Sequence, residues 1–103
     1  MIEIKVQNIV ASTAVADKLD LDIIMHSVEG TKYEPKQFPG LVHKLNNPKT
    51  ATLLFKSGRA VCTGAKNIED VYKSIDIIAK MLRKLGVNVY KNPKIDVQNG
   101  NYN

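Results

Sequence analysis

Residues 48–66 read PKTATLLFKSGRAVCTGAK. Two short runs rich in branched and apolar side chains, Thr50–Phe55 and Ala60–Gly64, flank Lys56-Ser57-Gly58-Arg59. A polar break containing glycine between two such runs marks a β-hairpin. Successive side chains on a strand point to opposite faces. Leu53 and Phe55 therefore share one face, and Leu54 takes the other. On the returning strand Val61 and Thr63 share a face, and Cys62 points away from them. Both faces of this hairpin carry apolar groups, so each face needs either a covering layer or a binding role.

Upstream, Asn46-Asn47-Pro48-Lys49 has turn chemistry, because Asn and Pro favour those backbone angles. Leu41–Leu45 reads as a strand, and residues 31–40, with Pro35, Pro39 and Gly40, read as extended and turn-rich. Residues 2–10 alternate and are rich in Ile and Val, which predicts a strand that Ala11-Ser12-Thr13 leads out of. Asp20 is a candidate N-cap for a short helix, because its carboxylate can accept from free backbone N–H groups. Leu21, Ile24, Met25 and Val28 form that helix's apolar face, and Gly30 is placed to end it. Downstream, Asn67 is placed to cap a long second helix, and Asp70 suits its positive N-terminal end. Ile68, Val71, Tyr72, Ile75, Ile78, Ala79, Leu82 and Leu85 make its apolar stripe, with Gly86 after it. The order predicts an α+β domain: a five-stranded antiparallel sheet with two helices on one face. The other face is left bare, and function is expected there.

The C-terminal segment echoes the N-terminal one. Residues 2–8 read IEIKVQN and residues 93–99 read PKIDVQN, with matches at Ile4/Ile95, Val6/Val97, Gln7/Gln98 and Asn8/Asn99. Residues 1–92 are thus expected to form one repeat, 93–99 to resemble the first strand of another, and 100–103 to be a loose tail.

The chain of 103 residues carries a formal net charge of +5, with 44% apolar and 24% charged residues. That composition fits one globular domain and an anionic partner, and leaves open which one. The single cysteine, Cys62, excludes an intrachain disulfide and suits a reducing compartment. The N-terminus lacks the apolar core of a signal peptide, and a cytoplasmic protein without a membrane partner is expected. His26 and His43 stand apart from other ligand types, so no metal or other cofactor is assigned. No nucleophile–base or paired-carboxylate arrangement points to an enzyme. Lys73, Lys80, Arg83 and Lys84 read either as a solvated helix face or as a contact for an acidic partner.

The stretches QNIVAST (7–13), KLDLD (18–22), YEPKQFPGLV (33–42), PKTATLLFKSGRAVCTGAK (48–66) and KLGV (84–87) resemble the archaeal TATA-binding protein family. The resemblance covers residues 2 to about 99 and matches one of the family's two tandem repeats. It implies a curved sheet, helices on the convex side, and a concave face lying on the minor groove of an A·T-rich promoter box. The family is itself a standard example of apolar side chains wedging open a base step. By resemblance, Phe38 and Phe55 are the wedges and Asn8 is the central polar contact to base edges. Val10, Leu53, Val61 and Thr63 form the groove-facing floor, and Lys44, Ser57 and Arg59 meet phosphates. The resemblance further implies double-stranded DNA, transcription factor B and the RNA polymerase machinery as partners, and a nucleoid location in an archaeal cell.

The chain departs from the family in two respects. The sequence carries one repeat where the family's saddle has two, and it reads equally as a single-repeat protein or as a piece of a longer one. A lone repeat would expose its first strand as an edge, which predicts a two-fold homodimer, unless segment 93–99 covers that edge. Lys36 also stands where the repeat that docks transcription factor B usually has glutamate, which puts that contact in question. Two other readings compete with promoter binding. One is a protein-interaction module of the same fold that binds DNA weakly or not at all. The more remote one is the substrate-binding domain of the related fold fused to some ribonucleases H.

Overall fold

The hairpin of residues 48–66 lies inside a single antiparallel sheet in the computed structural model, which describes residues 8–99. The elements are β1 (Ile9–Ala14), α1 (Leu21–Ser27), β2 (Thr31–Lys32), β3 (Leu41–Asn46), β4 (Lys49–Leu54), β5 (Arg59–Ala65), α2 (Ile68–Lys84) and β6 (Asp96–Asn99). The strand order is β2-β3-β4-β5-β1-β6. The sheet therefore has six strands rather than the five expected. The extra strand is the echo segment, which pairs antiparallel with β1 from Ile9↔Asn99 to Ser12↔Asp96. It covers the β1 edge within the same chain over those residues. The earlier part of the first expected strand, with Ile2, Ile4 and Val6, and the tail 100–103 lie outside the described residues.

Alternation sorts the sheet. Ile9, Ala11, Thr13, Leu41, Leu45, Thr50, Thr52, Leu54, Ala60, Cys62 and Ala65 are buried. The helices pack on that side. Leu21 and Ile24 of α1 join Ile78, Ala79 and Leu82 of α2 in a cluster with Leu41, Leu54 and Ala60. Val71 and Ile75 close a second cluster over Ile9, Ala11, Cys62 and Ala65, with Ile95 against it. Asp20 and Asn67 cap the helices as expected, accepting from the N–H groups of Ile23 and Asp70. Gly86 follows α2 in the left-handed region at φ 89°. A buried polar chain ties α2 to β4. Ser74 donates to the Asp70 carbonyl at 2.7 Å, which uses its only proton, so Thr50 is the donor to Ser74, also at 2.7 Å.

Two expectations need correction. β1 does not end at Val10 but runs to Ala14, because Ala11–Ala14 pairs with β5 from Cys62 to Arg59. Its polar residues are satisfied there: Thr13 donates to the Lys94 carbonyl at 2.7 Å, and Ser12 accepts from Arg59 at 3.0 Å. The apolar stripe of α2 is also narrower than read. Ile68 and Tyr72 are 43% and 53% exposed, and Tyr72 lines a shallow groove with Ala79 and Ile95. The sheet reaches the line Val71–Ile75–Ile78–Leu82 and leaves the flank of the helix uncovered.

The hairpin tip is fixed from outside. Val15 N–H donates to the Gly58 carbonyl at 2.8 Å, and Leu19 N–H to that of Lys56 at 3.0 Å. Gly58 has φ +91°, and a Cβ there would stand 1.9 Å from the Ala16 carbonyl oxygen. Gly30 has φ +80° with nothing within 4 Å. Gly30→Ala is therefore expected to cost only the left-handed backbone penalty, about 1–2 kcal/mol. Gly58→Ala adds a backbone collision and should cost clearly more, with urea unfolding as the measurement. His43, opposite Thr52, buries its Nδ1 without a hydrogen-bond partner, and burial lowers its pKa. The unfolded chain then binds more protons below about pH 6.5. Stability should fall as pH drops through that value towards the depressed folded pKa, and His43→Leu should flatten this part of the profile.

Candidate nucleic-acid interface

Antiparallel partners share a face, so the ladder registers trace the side that the helices leave open. One row crosses the sheet as Val42↔Leu53, Leu53↔Val61 and Val61↔Ser12, and a second as Lys44↔Ala51 and Ala51↔Thr63. Val10 extends the second row towards Gln98 of β6. Val10, Val42, Ala51, Leu53, Val61 and Thr63 are all half-buried, whereas Leu54, Ala60 and Cys62, on the opposite side, have no exposure. Among the described residues the open face is thus an apolar floor without a covering layer. Thr63 donates weakly to the Ala51 carbonyl at 3.4 Å.

Polar groups occupy the margins of this floor. Asn8 is exposed, and its Oδ1 accepts from Gly64 N–H at 2.9 Å. A backbone N–H can be answered only by the oxygen end of the amide, so Nδ2 keeps its two hydrogens for another acceptor. Gly64 reaches Asn8 because β5 bulges there, with two residues opposite Val10 and Gly64 at φ 81°. Lys44 and Arg59 are exposed, and Arg59 reaches across to Ser12. Ser57 sits exposed in the hairpin turn.

At one end of the floor Phe38 and Phe55 meet edge to face, with centroids 5.9 Å apart and planes inclined at 66°. Phe38 is 41% exposed, a large apolar ring left in solvent. Its backbone is held by a turn in which Gln37 and Phe38 N–H both donate to the Glu34 carbonyl at 2.9 Å. Phe55 N–H donates to the Arg59 carbonyl, and Gly58 N–H to that of Phe55, both at 2.9 Å.

The family model described as transcription factor TFIID (or TATA-binding protein, TBP) matches residues 3–85. The chain belongs to the TATA-binding protein family. It is 56% identical over 99 residues to the TATA-box-binding protein of Picrophilus torridus, covering 96% of this chain and 54% of that protein. It is 53% identical to that of Thermoplasma volcanium over 94% of this chain and 53% of the relative. The solved structure of Methanococcus jannaschii TBP superposes with a TM-score of 0.82 at 45% identity, over 88% of this chain and 52% of that one. The chain therefore spans about half the length of the TATA-binding protein relatives it matches.

The ten residues picked out by resemblance fall together. Asn8, Val10, Lys44, Leu53, Val61 and Thr63 lie on the open face, Phe38 and Phe55 at its end, and Ser57 and Arg59 at the adjoining hairpin tip and strand start. Val42, Ala51 and Ser12 share the face and were missed. The signal was present: each lies two residues from a residue already assigned to it. Gln98 and Asp96 extend the face onto β6. Among the described residues no cluster of three metal-ligating side chains occurs, and no helix is long and apolar enough to cross a membrane.

The two faces make a direct comparison of neighbours. Leu54→Ala should cost about 2–5 kcal/mol, as for a buried leucine. Leu53→Ala, on the open face, should cost about 1 kcal/mol or less by thermal unfolding. Equal losses would mean that the face is covered.

Proposed function

We propose that this chain is a non-enzymatic module of transcription initiation that lays its open face in the minor groove of A·T-rich promoter DNA and bends it. The observation that carries this reading is the uncovered apolar floor ending in the Phe38–Phe55 pair. A minor groove displays few distinguishing groups, and much of its surface is apolar sugar and base edge. An apolar floor gains by burying that surface. Rings driven into a base step trade a few kcal/mol of unstacking for a bent duplex that meets more protein. Asn8 supplies the polar selection. Its Nδ2 hydrogens complement adenine N3 and thymine O2, whereas the guanine amino group would set donor against donor. Lys44, Arg59 and Ser57 answer phosphates at the rim, which makes binding salt-dependent.

On this reading residues up to 92 form one half of a saddle, and 93–99 act as the first strand of a following repeat. A second copy of the chain supplies the other half. Because β6 already pairs with β1 over Ile9–Ser12, a free chain has no unpaired β1 edge there to satisfy. Association of two copies is therefore expected on the DNA, with transcription factor B and polymerase recruited to the bent complex.

Four measurements test this. At fixed salt, an A·T-rich box should bind more tightly than a G·C-rich control and should bring its labelled ends closer; equal, weak binding without bending would favour the protein-interaction alternative. Phe38→Ala and Phe55→Ala should each weaken binding by about tenfold or more and reduce the bend. Asn8→Asp keeps the acceptor for Gly64 N–H but loses the donors and adds a charge, so it should bind poorly to either box. The mass of the saturated complex should correspond to two chains per box, and one chain at saturation would refute the dimer.

A further inference from the structure

The Phe38 and Phe55 rings meet over Gly40. A Cβ built on Gly40 would lie 2.7 Å from Phe38 Cε2, 2.9 Å from Phe55 Cε1 and 3.2 Å from Phe55 Cζ. Gly40 does not occupy the left-handed region, unlike Gly30, Gly58, Gly64 and Gly86. Backbone geometry therefore does not call for glycine here; the two rings do. Its neighbour Leu41 has no exposure and anchors the start of β3, so the Gly40 backbone has little freedom to retreat. The backbones of Phe38 and Phe55 are held as well, one by the turn on Glu34 and the other by the hairpin closed through Arg59 and Gly58. A methyl group at position 40 can be accommodated only by rotation of the rings, whose colliding atoms are the far ends of side chains.

We propose that Gly40 is the positioning residue of the aromatic pair: its bare Cα sets the spacing and tilt with which Phe38 and Phe55 face the solvent. This rests on the reading that the pair enters a base step. A wedge works only in a narrow range of width and angle, because a splayed pair presents a broader edge than an opened step admits. Gly40 touches no base on this account. It acts through the rings, and its effect should shrink when one ring is removed.

The test uses the full chain with Gly40→Ala, Phe38→Leu and the double variant. Gly40→Ala should unfold within a few degrees of the parent, because side-chain tips absorb the methyl group. The nuclear Overhauser contacts between the two rings and their proton shifts should change in the absence of DNA. With an A·T-rich duplex, Gly40→Ala should weaken binding by about tenfold, about 1.4 kcal/mol, and reduce the bend. In the Phe38→Leu background the same alanine should have a much smaller effect, since the closest collision is gone. Unchanged ring contacts, or losses that simply add in the double variant, would overturn the role of Gly40. If Gly40→Ala alone does not fold, the double variant compared with Phe38→Leu carries the binding test, and full additional loss there overturns the proposal. A parent chain that fails to bend DNA would defeat the functional reading instead, and the ring contacts would still judge Gly40.

Discussion

The antiparallel register of β3, β4, β5 and β1 is the constraint on which the rest depends. A strand has a side-chain period of two, so a slip of one residue would send Leu53 and Val61 under the helices and bring Leu54 and Cys62 into solvent. The register is held at its most vulnerable point, the β4–β5 turn, by contacts from outside the hairpin. Val15 and Leu19 donate to the turn carbonyls, and Gly58 fits against Ala16 where no side chain would. The segment after β1 thus serves as a template for a turn more than 35 residues later in the chain. Every assignment to the open face inherits its security from those contacts.

The covered face is sealed in a different way. It is mostly apolar, and its polar members divide: Ser74 and Thr50 form a relay ending on the Asp70 carbonyl, whereas His43 Nδ1 and Thr52 Oγ1 are buried without a hydrogen-bond partner among the described residues. Cys62 lies beside this relay with its thiol pushed up by burial, so it behaves as a small core residue rather than a nucleophile. On the outer side of α2, Lys80 pairs with Asp76 at 3.0 Å and Arg83 donates to the Tyr90 carbonyl at 3.1 Å. The helix's positive charges are therefore partly engaged within the chain. Tyr90 also donates to Asp17 and, through its N–H, to the Val15 carbonyl, which fastens the segment after α2 to the end of β1.

Much of this was legible in the residues. The hairpin, both helix caps and the glycine after α2 follow from local chemistry, and local chemistry is written locally. The ten candidate positions followed from the family resemblance, and strand alternation then explains why those within β1, β3, β4 and β5 share a face. What was not legible depended on pairing between distant segments. Ser12 and Thr13 look like a strand exit, and only the strands on either side make them part of β1. The echo at 95–99 was visible, but whether it would cover its own β1 or another chain's was a choice between equivalent contacts. Gly40 looked like a turn glycine after Pro39, because no sequence pattern shows that two rings will meet above it. Val42 and Ala51 were overlooked although the parity of their strands assigns them to the floor.

The strand order carries a consequence for how the molecule comes into being. β1 has β5 on one side and β6 on the other, so Ile9 pairs with Ala65 and again with Asn99. During synthesis the first described strand leaves the ribosome with neither partner yet made. Its backbone remains unmatched until β5 has been translated, and closing such long loops before any contact rewards them is slow. The β3–β4–β5 meander, by contrast, joins only near neighbours in the chain. Assembly is thus expected to begin in the middle of the chain, with β1 joining later and β6, whose partner is β1, last.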